Sequence, residues 1–140
     1  MKRRILALVL VALSLLCLTS FALAEENDNT RASNYFSNYG ISVSKLGSGK
    51  IGFTMSCSAA CTASQLGVSS YSVQKYTSSG WVTVASGEGG YKYNTTSYAL
   101  SKTMNGVAGE KYRVKCTFLC SKSDGTVETK SSTSPSVTAN

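Results

Sequence analysis

The sequence predicts an all-β protein: an antiparallel β-sandwich of about seven short strands, stabilised by disulfides. Three observations lead there. Apolar and polar residues alternate over short runs. Gly-, Ser- and Asn-containing turn signals separate those runs about every 8–12 residues. Two cysteine pairs, Cys57/Cys61 and Cys116/Cys120, share an i, i+4 spacing at or just past the ends of two of the runs.

Residues 1–24 read as a secretory signal peptide. Lys2, Arg3 and Arg4 form a positive start, Ile5 to Leu18 an apolar stretch, and Ala22-Leu23-Ala24 a cleavage site that leaves Glu25 as the new N-terminus. The apolar stretch is too short, and wrongly flanked, for a membrane anchor. Cys17 follows Leu16 where a lipobox needs a small residue, which argues against lipidation. With the leader go three cations, lowering the formal charge from +7 to +4. Residues 25–34 form a polar tail, and 35–140 one domain.

Tyr39 to Leu46 alternates, with Tyr39, Ile41 and Val43 on one face; Gly47-Ser48-Gly49 turns the chain. Lys50 to Cys57 returns, with Ile51, Phe53, Met55 and Cys57 on one face, making a hairpin. Thr62 to Gly67 carries a capping pattern, Thr62 with Gln65 three residues on, and predicts one helical turn. Tyr71–Thr77 and Trp81–Ser86 flank Ser78-Ser79-Gly80 as a second hairpin. Gly87, Gly89 and Gly90 break the pattern, so Tyr91–Ser97 reads as a polar, aromatic connection. Tyr98–Met104 alternates again and turns at Asn105-Gly106. Lys111–Cys120 has the inward set Tyr112, Val114, Cys116, Phe118 and Cys120. After Ser123-Asp124-Gly125, Thr126–Thr133 is the last strand, with Pro135 suited to an edge.

If Lys50–Cys57 and Lys111–Cys120 run alike in facing sheets, equal spacing sets Cys57 opposite Cys116 and Cys61 opposite Cys120. The crossed pairing would lie about 13 Å out of register at ~3.3 Å per residue, beyond the ~7 Å that a disulfide spans. Local bridges Cys57–Cys61 and Cys116–Cys120 stay open as an alternative. So does a four-thiolate zinc site, though C-x3-C in an exported chain is a weak metal pattern. The expected site list therefore holds disulfides and no metal or other cofactor.

No histidine is present, which removes most acid–base chemistry. There is no G-x-S-x-G elbow, and Glu88 and Glu110 stand on separate loops without a supporting group. The chain reads as a non-enzyme. Its basic residues are scattered; only Lys111, Arg113 and Lys115 alternate on one strand, as a solvated face does, so no nucleic-acid partner is expected. Trp81, with Tyr71, Tyr76, Tyr91 and Tyr93, offers ring faces for sugars among short polar side chains. The plainer reading packs Trp81 across its own hairpin and half-buries the tyrosines. Asn94-Thr95-Thr96 marks an exposed polar loop.

Gly106-Val107-Ala108-Gly109-Glu110-Lys111-Tyr112 resembles the E–F corner of fibronectin type III domains, one residue shorter and without its Pro. The resemblance implies that Tyr112 opens strand F and bonds back to the backbone. More widely, several segments resemble a family of small exported proteins of unknown function in Gram-positive bacteria. They are Arg31-Ala32-Ser33-Asn34-Tyr35, Lys50–Met55, Ser70–Tyr76, Gly80-Trp81-Val82 and Gly109-Glu110-Lys111-Tyr112. It implies an immunoglobulin/fibronectin type III-like sandwich and export, to the medium or the cell wall, and transfers no activity. The family pattern lacks these four cysteines, so the bridges are an addition to it. The expected function is a secreted, non-catalytic binding or structural surface module whose partner is a protein or glycan at the cell surface. The alternatives are a carbohydrate-binding or adhesive module, or a bacteriocin-like antagonist or inhibitor.

Overall fold

Seven antiparallel strands account for most of the chain in the computed structural model, which describes residues 35–140. The leader and the tail at 25–34 lie outside the described residues. The strands are β1 (Phe36–Gly47), β2 (Lys50–Thr77), β3 (Gly80–Gly87), β4 (Gly90–Asn105), β5 (Lys111–Ser121), β6 (Val127–Thr133) and β7 (Val137–Thr138). No helix among the described residues is long and apolar enough to cross a membrane.

The long strand β2 organises the rest. Its first part, Lys50–Ser58, lies between β1 and the second half of β4. Its later part pairs with β5 from Gln65 to Lys75 and with β3 from Tyr71 to Thr77. β6 extends β5 on the far side, and β7 covers the start of β5. Between the two parts of β2 the register against β4 slips: Ser58 faces Ser97, but Ala63 faces Thr95. The extra residues on β2 form a wide bulge, which is how a strand turns a corner. The turn is sharp, because the rings of Phe53 and Tyr71 lie 5.7 Å apart. Eighteen residues of straight strand would separate them by about 60 Å.

Alternation decides what is buried. Ile51, Phe53, Met55 and Cys57 of β2 meet Tyr112, Val114, Cys116, Phe118 and Cys120 of β5 in one core with Leu66, Val68 and Val73. Tyr39 of β1 packs on Phe118, ring centroids 5.7 Å apart. The turn at Gly47-Ser48-Gly49 has left-handed backbone at all three residues (φ 81°, 51° and 76°), which two glycines make accessible.

Two expectations are corrected. The helical turn at Thr62–Gly67 is strand: Gln65, Leu66 and Gly67 pair with β4 on one side and β5 on the other. Two ladders satisfy the backbone on both sides and outweigh a single capping pattern. The connection at Tyr91–Ser97 is the first part of β4, because Gly90 to Thr95 finds β2 as a partner before Tyr98 is reached.

Tyr112 opens β5, is buried, and accepts the Val107 N–H on its phenol oxygen at 2.8 Å. That is the backbone bond expected of this tyrosine. Tyr112→Phe orphans a part-buried N–H and is expected to cost about 1–2 kcal/mol. Urea unfolding checks it: the midpoint falls while the m-value stays constant.

Candidate functional site

The five aromatic residues do not form one cluster. Tyr76 and Trp81 face each other across the β2–β3 hairpin, edge to face, with centroids 5.2 Å apart. Tyr71 points to the opposite side of β2, half-buried against Phe53. Tyr91 and Tyr93 are exposed on β4, opposite Gly67 and Gln65. Nine residues along β2 separate Gly67 from Tyr76, about 30 Å of strand. The structure thus brings together Tyr76 and Trp81 alone.

It adds two residues to them. Arg113 of β5 lays its guanidinium over the Trp81 ring, 4.3 Å from the centroid. Its Nε–H donates to Gln74 Oε1 at 2.8 Å. Gln74 and Arg113 are register partners, so their side chains share a face, and Gln74 is two residues from Tyr76 on the same strand. Arg113 is held by stacking on one side and a hydrogen bond on the other. The alternation of β5 marked this arginine as outward-facing, but only the β2–β5 register places it beside Trp81.

The four cysteines are free thiols in the structure: Cys57, Cys116 and Cys120 buried, Cys61 exposed in the β2 corner. The expected Cys57–Cys116 and Cys61–Cys120 bonds are not formed in it. Burial, with a smaller contribution from Cys120, pushes the Cys57 thiol up to about 12. Burial and then Cys57 push Cys116 up to about 12. Cys120 is raised by burial, then by Cys61 and Glu128, against an opposing pull from Lys122. The neutral thiols act as donors: Cys57 Sγ to Gly67 O at 3.9 Å, and Cys120 Sγ to Tyr35 O at 4.0 Å. No group of three or more Cys, Asp or Glu side chains among the described residues is arranged to hold a metal ion.

The carboxylates stand apart. Glu110 meets Lys75 at 4.0 Å, Glu128 meets Lys130 at 3.3 Å, and Glu88 lies between β3 and β4. Asp124 accepts from the Thr126 hydroxyl and N–H, which hold its carboxyl below the usual value and tie the β5–β6 turn. Asn94 takes left-handed backbone, φ 49°, within β4 rather than in a loop.

Comparison with known protein families and with curated proteins finds no match.

Proposed function

We propose that the protein is an exported, non-catalytic surface-binding module. It would be built as an immunoglobulin/fibronectin type III-like sandwich and braced by Cys57–Cys116 and Cys61–Cys120 after oxidation. The observation that carries the binding role is the Tyr76–Trp81–Arg113–Gln74 cluster. It is a preorganised aromatic and guanidinium surface, with Tyr76 51% exposed. Side chains immobilised before binding lose little entropy when a partner arrives.

The strand pairing supports the sandwich. β1, the start of β2 and the second half of β4 form one group; β3, the end of β2, β5 and β6 form the other, and the first half of β4 pairs with the middle of β2 where the two meet. The corner in β2 joins the two, and Tyr39 on Phe118 and Phe53 on Tyr71 fill the space between. Cys57 and Cys116 both belong to the buried core set, and Cys120 joins them there, which supports bridges from β2 to β5. Each bond would give up two protons and two electrons to an extracellular oxidant.

Carbohydrate is the favoured partner class, because Tyr76 offers an open ring beside the hydrogen-bonding groups of Gln74 and Arg113. Trp81 is the single tryptophan, so its emission reports this site alone. Purified protein is titrated with cell-wall polysaccharide and with host glycans. The expected result is a saturable emission shift that Tyr76→Ala removes. Emission that no preparation moves overturns the binding role.

A further inference from the structure

We propose that the face carrying this cluster is a binding site for an anionic glycan, a linear polysaccharide bearing carboxylate, sulfate or phosphate groups. The inference rests on the surface-module reading and names its ligand class.

Lys111, Arg113 and Lys115 are alternate residues of β5, so they point to one side about 7 Å apart. That side is the one opposite the core, since the alternating residues Tyr112, Val114 and Cys116 are buried. Sequence alone leaves such a row as a solvated strand face. The structure places a fixed aromatic wall along it. Trp81 lies under the Arg113 guanidinium, and Tyr76 stands edge-on to Trp81.

Arg113 is anchored through Nε only, and its two terminal amino groups have no acceptor among the described residues. Those groups form the planar fork that recognises carboxylate, sulfate or phosphate oxygens in a bidentate way. None of the three cations forms an ion pair with a described carboxylate: Glu110 is engaged by Lys75, Glu128 by Lys130, Asp124 by Thr126, and Glu88 pairs with no described cation. The described carboxylates leave the positive charge on this face unpaired, and a regularly spaced row suits a linear polyanion better than a single ion.

The neighbours favour sugar over nucleic acid. Ser72 and Thr133 flank Lys115 in register, and Thr83 lies opposite Gln74, so short hydroxyls and amides border the cations. Single-stranded nucleic acid is held by successive stacked bases. Here Arg113 covers Trp81, which leaves Tyr76 as the open ring of the cluster.

The test measures binding of the oxidised, secreted protein to heparin and polygalacturonate, with dextran as neutral polymer and oligo-dT as competing polyanion. Both acidic glycans are expected to bind, dextran is not, and oligo-dT is expected to bind more weakly. Affinity should fall about tenfold or more between roughly 50 and 500 mM salt. Arg113→Gln should weaken binding about tenfold, and the exposed Lys115→Gln about threefold. Lys102→Gln, exposed on β4, should change nothing. Equal losses in Lys102→Gln and Lys115→Gln, a preference for oligo-dT, or no binding to either acidic glycan overturns the inference. A neutral glycan that shifts Trp81 emission equally in wild type and Lys115→Gln overturns it too, and leaves the surface-module reading standing.

Discussion

Gly67→Ala is expected to destabilise the protein by about 3 kcal/mol, at the upper end of overpacking costs. A β-carbon at this position would fall on the Gly90 carbonyl oxygen, with Tyr91 Cα at 2.8 Å and Tyr91 Cδ1 at 2.9 Å. Two of those three atoms are backbone, so no rotamer change relieves the clash. Nor can β2 step aside, because Gly67 is paired with Tyr91 of β4 and with Leu119 of β5. Its carbonyl also receives the Cys57 thiol, so a shift would carry into the core. Glycine in a strand often marks such a close approach. Gly40→Ala in β1 is the control: nothing lies within 4 Å of its added carbon, and the expected change is within about 0.5 kcal/mol. Urea unfolding of both variants decides the matter. A Gly67→Ala protein as stable as Gly40→Ala would mean that β4 does not press on β2 as described.

The same glycine shows where the sequence was legible and where it was not. Strands with one face in the core announce themselves by alternation. The β5 residues from Tyr112 to Cys120 are therefore readable directly, as are Ile51 to Cys57 in β2. The stretch from Ala63 to Val68 loses that period because it is flanked by strands on both edges and buried at Leu66, Gly67 and Val68 in succession. In the sequence Gly67 is the last residue of the predicted helical turn; in the fold it leaves the space that Tyr91 occupies. Tyr91 to Thr95 is mostly exposed, so nothing in its own pattern marks it as strand, and only its partner does. The candidate site divides similarly. The Tyr76–Trp81 contact follows from a two-strand hairpin and can be read locally. Arg113 joins it through a long-range register that single-sequence pattern does not specify.

Removing one bridge from the oxidised protein is expected to cost about 4 kcal/mol, and alkali will tell whether the bridges exist at all. A Cys57–Cys116 bond closes a loop of roughly 60 residues, for which the chain-entropy account gives about 4 kcal/mol. Cys116→Ala forfeits that in oxidised protein. In fully reduced protein it loses only side-chain packing. The pH dependence separates the two states independently. The folded protein pushes the Cys57 and Cys116 thiols from 9.0 up to about 12, so the fold retains protons that the unfolded chain releases. Stability from the buried neutral thiols is full below pH 9 and is lost as pH rises from 9 towards 12. Reduced protein should therefore show a falling urea midpoint across that window. Oxidised protein, with no thiol at either position, should lack that thiol-linked fall. If untreated protein falls in parallel with the reduced form, the bridges are not made. The fold would then rest on the Phe118–Met55–Leu66 core alone. If the two curves diverge above pH 9, the buried pair is bonded, and Cys61–Cys120 is the neighbouring pair left to close the other bridge.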